Sequence, residues 1–292
     1  MCWHETSFGL YFIRNALQDG EHDKALMGAL ASNGCGRTMF ELVPATPSLS
    51  GSQSAYIVRN LILATLPEAD FALLRPHLRR VSLRRNDILH DAFRCPDAVY
   101  FVESGLISRV VRSPKDGAVE VANVGRCGFI GVSVVLGTMI AIQRTVVLVP
   151  GQALGIEAET LRGLMVERPS IKEHLLKYVQ VLMALKAQIA MCNAKHELSE
   201  RLARWLLLAH DMIESDVLPV THGLLADALG VRRPGVSVAL AQLEAQGIVA
   251  RTRGALRILD LDGLRRSGCE CHQVVRDRFR PFSGMPDHQH SL

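Results

Sequence analysis

The period of the apolar positions changes along this chain, and the changes divide it. From residue 57 to 156 they come as short runs: 81–83, 88–89, 99–102, 106–111, 119–124, 145–149 and 153–156. Turn-forming residues stand between the runs, at Asn86 and Asp87, Ser104 and Gly105, Lys115 to Gly117, Gly125, and Pro150 and Gly151. Short strands at close, regular spacing predict a β-barrel or double-sheet jelly roll. Two short helices, 60–66 and 68–74, are predicted ahead of it, parted by Pro67. After Pro169 the period becomes helical. Ser170 and Glu173 have the spacing of a capping box, and the helix they begin can run to about residue 193, roughly 35 Å. Its apolar residues form two overlapping seams, Leu176, Val179, Met183 and Leu175, Val179, Leu182, Ile189, with Lys186 alongside. A stripe that wide suits a helix facing its own domain on one side and a partner on the other. Leu198, Leu202, Trp205, Leu206, Ala209 and Ile213 mark a further amphipathic helix.

The pattern tightens again over 218–258. Thr221 is suited to cap a helix whose apolar face is Leu224, Leu225, Ala228 and Leu229. Gly230 can end it in a left-handed conformation at no steric cost. Arg232, Arg233 and Pro234 open a second helix, with proline where its missing N–H is not needed. Val236, Leu240 and Leu243 give that helix a buried side, and Gly247 stops it. Residues 248–249 and 256–259 then flank the basic turn Arg251 to Gly254, a hairpin wing. The unit reads as a winged helix-turn-helix. Charge separates this reading from a helical hairpin in a larger core. Residues 230–258 hold five arginines and one acid, a net of +4 that equals the formal charge of the whole 292-residue chain. A basic face beside a recognition helix is the footprint of phosphate binding.

Composition narrows the class. With 48% hydrophobic residues the chain is ordinary for a globular protein, and charged residues interrupt its apolar stretches short of a membrane span. Its start lacks a signal-peptide pattern, and seven scattered cysteines argue against a disulfide framework, so a cytoplasmic location is expected. Residues 1–55, with three basic and five acidic side chains, end in a Pro/Ser-rich linker and read as an extension, or as an upstream misreading of the start. No nucleophile elbow, P-loop or loop-borne acid pair is found, and no segment remains for a catalytic domain, so no enzyme is expected.

The order of barrel, long helix and winged helix resembles the catabolite-activator and fumarate–nitrate regulator (Crp/Fnr) family over about residues 60–279. The resemblance is strongest in 218–249 and in the run from Glu200 to Leu206. It implies an α+β chain in five parts: an extension (1–55), a cyclic-nucleotide-binding-like sensor barrel (56–168), a dimerisation helix (169–195), a DNA-binding domain (196–282) and a tail (283–292). It further implies a homodimer on a palindromic operator in double-stranded DNA, with RNA polymerase as a further partner and no membrane. Dimer contacts are expected at Leu175, Val179, Leu182, Met183, Lys186 and Ile189, and DNA contacts at Thr221, Arg232, Arg233, Ser237, Arg251 and Arg253. Arg233 is the expected base reader, since arginine to guanine is the commonest specific contact. A module that has lost DNA binding is the alternative.

The effector cassette of the family is degraded here. Gly128, Gly131, Arg144 and Thr145 resemble its phosphate-binding turn and arginine, but Val132 stands where a ribose-binding glutamate belongs. Cyclic AMP is therefore not the expected effector. Arg144 is either a contact for another anion or a salt-bridged surface residue. No cofactor and no metal are expected. Cys2 and Cys35 are too far apart for an iron–sulfur cluster, and Cys269, Cys271 and His272 lack Cys-x-x-Cys spacing and would diverge on a helix.

Overall fold

The computed structural model describes residues 57–113 and 117–282. The extension up to residue 56, Lys115 and Asp116 of one predicted turn, and the 283–292 tail lie outside the described residues. Two short helices, α1 (Leu61–Ala64) and α2 (Glu68–Leu74), precede the sheet. Asn60 fixes their entry: its Oδ1 caps α1 at Leu63 N, while its Nδ2 donates to the carbonyls of Val102 and Gly128. Six strands follow: β1 (Arg79–Leu83), β2 (Ile88–His90), β3 (Ala98–Ser113), β4 (Gly117–Val124), β5 (Phe129–Ile130) and β6 (Arg144–Glu157). They pair antiparallel in the order β1-β6-β3-β4, with β2 added to β6 and β5 to β3. Helix α3 (Val132–Leu136) lies between β5 and β6.

Two predicted turns are not turns. Residues 99–102 and 106–111 belong to one strand, β3, and 145–149 and 153–156 to another, β6. Gly105 and Gly151 mark instead the irregularities at which these two long strands bend together. A Cβ on Gly105 (φ +89°) would lie 2.6 Å from Val149 O, and one on Gly151 would lie 2.1 Å from Ser104 O. The glycines let two backbones approach, as bulge glycines do. Most of β3 is buried, because its residues feed separate cores: Phe101 the core under the long helix, Val102 and Ile107 the barrel interior, Leu106 the core of the C-terminal domain.

Helix α4 (Ala158–Glu167) leads into α5 (Pro169–Lys195). Pro169 takes the first turn of α5 and no side chain caps it, so the expected Ser170/Glu173 box does not form. A capping box forms one helix later, between Glu197 and Glu200 at the start of α6 (Leu198–Ile213). By length and composition α5 is apolar enough to cross a membrane, contrary to the sequence reading. Its apolar side is spent on the chain's own core: Ile171, Leu175, Tyr178, Val179, Leu182 and Leu185 pack with Leu63, Phe101, Phe129 and Phe282.

The C-terminal domain contains β7 (Val217–Leu218), α7 (His222–Leu229), α8 (Arg233–Ala245), β8 (Val249–Thr252), β9 (Ala255–Ile258), α9 (Leu261–Ser267) and α10 (Cys271–Arg278). Its three-stranded sheet runs β7-β9-β8. Trp205, Leu206, Leu225, Leu229, Val236, Leu240, Val249 and Leu256 form its core, and Leu106 and Val149 of the barrel belong to that core too. Barrel and C-terminal domain thus share apolar packing rather than meeting through a linker alone.

Candidate nucleic-acid interface

The helix-turn-helix is built as its local chemistry dictates. Thr221 Oγ1 accepts from Leu224 N at 3.2 Å and caps α7. Gly230, at φ +63°, ends it in the left-handed region. Arg232 is the extended residue before α8, and Pro234 lies in its first turn. Leu225 and Leu229 of α7 and Val236, Leu240 and Leu243 of α8 face inward.

The outward face of α8 carries the chemistry. Arg232, Arg233, Val238, Ala241 and Gln242 are exposed, with Val238 at 61%. Ser237, expected to contact DNA, donates to Arg233 O at 3.2 Å and meets His222 Nδ1 at 2.9 Å, so it braces α8 against α7. Thr221 is likewise engaged as a cap. In the wing, β8 and β9 pair through a turn at Gly254 (φ +77°). Arg251 binds Glu244 of α8 through Nε at 2.7 Å and Nη2 at 2.6 Å, which fastens the wing to the recognition helix. That pair cancels internally and leaves Arg232, Arg233, Arg253 and Arg257 exposed around α8 and the wing. Arg257, Val238 and Gln242 had no place in the predicted contact set; only their position on exposed faces marks them.

The residues assigned to an effector site have structural work. A Cβ on Gly128 would lie 2.4 Å from Tyr178 Oη, and one on Gly131 (φ +113°) 2.7 Å from Val99 Cγ2. Both glycines therefore serve close packing. Val132 packs against the core under α5. Arg144 makes a two-pronged ion pair with Asp91, at 2.7 and 3.0 Å, which lowers the Asp91 carboxyl below its ordinary range. This is the salt-bridged alternative for Arg144. Thr145 Oγ1 accepts from His90 N at 2.9 Å inside the barrel. A cation that sequence reasoning missed, Arg109, is buried within the apolar run of β3 and donates to Phe129 O at 2.7 Å.

Between barrel and DNA-binding domain lies a buried polar cluster. Glu120 of β4 accepts from Ser108 Oγ at 2.5 Å and from Trp205 Nε1 of α6 at 2.7 Å. Asn123, with its amide nitrogen turned inward, donates to the same carboxylate at 2.8 Å. Burial outweighs these hydrogen bonds and pushes the Glu120 carboxyl up to about 6.

Two further expectations need revision. On α5, Leu175, Val179 and Leu182 are buried in their own domain, Ile189 packs at its margin, and Lys186 reaches Gln143 Oε1 at 3.2 Å; of the predicted dimer contacts only Met183 is exposed, at 67%. Cys269 and Cys271 do not diverge on one helix. Cys269 precedes α10 and Cys271 begins it, so both sulfurs turn toward Cys192 and His196 at the end of α5, while His272 binds Asp211.

A jelly roll, a long helix and a basic winged helix-turn-helix define a DNA-binding transcription regulator. Residues 200–267 match the family model of the Crp-like helix-turn-helix domain. Solved structures share the fold. A putative cAMP-binding regulatory protein from Silicibacter pomeroyi is 25% identical, with a TM-score of 0.53 over 72% of this chain and 95% of its own. The c-di-GMP-responsive global regulator CLP of Xanthomonas campestris is 16% identical, with a TM-score of 0.55 over 66% and 99%. A CRP-family transcriptional regulator from Thermus thermophilus is 22% identical, with a TM-score of 0.53 over 64% and 95%. No curated protein sequence matches the chain.

Proposed function

We propose that the protein is a cytoplasmic homodimer that reads a two-fold symmetric duplex site and acts on transcription with RNA polymerase. The observation that carries this reading is the exposed basic N-terminal end of α8, where Arg232 and Arg233 precede a surface of Val238, Ala241 and Gln242. Arg233 reads a base edge, and Val238 and Gln242 offer a thymine-methyl contact and an amide reader further along the groove. Arg253 and Arg257 neutralise phosphates from the wing.

Dimerisation uses the outward ridge of α5. Leu176, Gln180, Met183, Ala187, Ala190 and Ala194 recur at alternating steps of four and three residues, the spacing of a coiled-coil seam, and from Gln180 onward they are exposed. Two helices paired there would set the recognition helices about 34 Å apart, one turn of DNA. Cyclic AMP is not the effector, because Arg144 is held by Asp91 and Val132 offers no acceptor to a ribose hydroxyl.

Electrophoretic shift and sedimentation with DNA selected from random sequence test the reading. Arg233→Ala should cost about 1–3 kcal/mol on the selected site and relax preference at one position per half-site. Arg253→Ala should weaken all sequences alike and lower the salt dependence. Equal losses on selected and random DNA for Arg233→Ala would remove its role as a base reader.

A further inference from the structure

Cys192, His196, Cys269 and Cys271 meet where α5 ends, α6 begins and α9 gives way to α10. Their three sulfurs and a ring nitrogen all lie within 4.8 Å of one another, and the three cysteines are buried. Cys192 Sγ is 3.6 Å from Cys269 Sγ, and Cys271 Sγ is 3.5 Å from His196 Nδ1. We propose that these four side chains form a closed Cys3His site for one thiophilic divalent ion of the zinc type, which staples the α5–α6 joint to the α9–α10 corner.

The distances favour an ion over the alternatives. Ligands at about 2.3 Å for sulfur and 2.0–2.1 Å for nitrogen, arranged tetrahedrally, leave edges of roughly 3.5–3.8 Å. The Cys192–Cys269 and Cys271–His196 edges, 3.6 and 3.5 Å, fall there, and the remaining donor pairs lie within 4.8 Å. A disulfide needs about 2.05 Å and would strand the third thiol and the histidine. Four donors this close surround one ion, whereas a multi-iron cluster spreads its thiolates over separate metal atoms.

The surroundings are those of a metal site as well. His196 turns Nδ1 inward and holds Nε2 3.5 Å from Glu270 Oε1, the carboxylate–histidine–metal arrangement that fixes the ring. Gln188 Nε2 donates to Cys271 Sγ at 3.1 Å. Three thiolates and a divalent ion leave one negative charge, and the buried Arg204 lies within electrostatic range of Cys192 to balance it. Four protein ligands leave no open position, so the site is structural rather than hydrolytic.

Metal analysis of the full chain, purified with reductant and added zinc, should find one zinc per chain. Cobalt(II) in its place should give thiolate-to-metal charge transfer and the visible bands of a tetrahedral ion. Cys192→Ser and Cys271→Ser should abolish both signals. Cys95→Ser, Cys127→Ser and the double variant His288→Ala/His290→Ala should keep them. Glu270→Ala should weaken zinc ten- to hundred-fold in competition with a chromophoric chelator. Should the serine variants fail to fold, His196→Cys supplies a fourth sulfur and should bind with stronger charge transfer. The proposal is overturned by folded, reduced protein without stoichiometric ion, by a cobalt spectrum lacking thiolate bands, by binding that survives Cys271→Ser or disappears with the tail histidines, or by folded His196→Cys that binds nothing.

Discussion

Replacing Glu120 by glutamine should make the protein more stable at neutral pH, although it removes a charge from a hydrogen-bonded network. The carboxyl is buried between barrel and reader and is pushed up to about 6 from an ordinary 4.5. Since the folded state holds this proton more tightly than the unfolded chain, the favourable contribution is complete below about pH 4.5 and is lost as pH rises through about 6. At roughly 1.36 kcal/mol for each tenfold change in proton affinity, ionising Glu120 costs the folded state about 2 kcal/mol. Glutamine stays neutral, accepts from Trp205 Nε1 through its carbonyl, and donates to Ser108 Oγ. Urea unfolding of both proteins, followed by far-ultraviolet dichroism at pH 4.5, 6 and 7.5, separates the term from other titrations. The difference between them should grow with pH to about 2 kcal/mol in favour of Glu120→Gln. A difference that does not change with pH, or a variant less stable at pH 7.5, would refute the reasoning and mean that the ionised carboxylate is favoured in place.

Three other outcomes follow from the packing. Met183→Glu with Ala187→Glu puts unpaired charge on the outward ridge of α5 without touching its buried side, and should give monomers by sedimentation; an unchanged mass would move the dimer seam elsewhere. Calorimetry with cyclic AMP or cyclic GMP should detect no micromolar binding, and DNA affinity should respond to neither; binding that tightens DNA affinity would reverse the reading of Val132 and Arg144. His90 is buried, its Nε2 2.8 Å from Ala98 O, and its pKa is lowered to about 4, chiefly by burial. The stability it confers is present above about pH 6.5 and lost as pH falls toward 4, so His90→Gln should reduce the acid-side loss by about 3 kcal/mol in denaturant titrations; an unchanged acid limb would count against a neutral, buried His90.

The reader was legible because its signals are local: a threonine cap, a left-handed glycine and a first-turn proline specify their own conformations, and Thr221, Gly230 and Pro234 take them. The barrel was legible in kind but not in connectivity. A glycine serves a turn or a bulge equally, and only the partner strand decides, so Gly105 and Gly151 look like strand ends in the sequence although they lie at bulges within β3 and β6. Helical spacing on α5 marked which residues are apolar but not which neighbour covers them; Leu175, Val179 and Leu182 are buried in the chain's own core, while Met183 is exposed. Ser170 and Glu173 satisfied a spacing rule that Pro169 made redundant. The cysteine–histidine cluster was beyond sequence reasoning, because it joins positions 77 residues apart and its Cys269 and Cys271 fall on either side of a helix start.

The glycine at the turn of the helix-turn-helix also faces the barrel. A Cβ on Gly230 would lie 3.3 Å from Val119 Cγ1 on the β3–β4 hairpin. The angle between α7 and α8 is set at that turn, so the hairpin bears on the reading head at its fulcrum. Residue 119 is therefore expected to act as a graded adjustment: a larger side chain should press on the turn and a smaller one release it, and DNA affinity should follow side-chain volume at a position on the barrel.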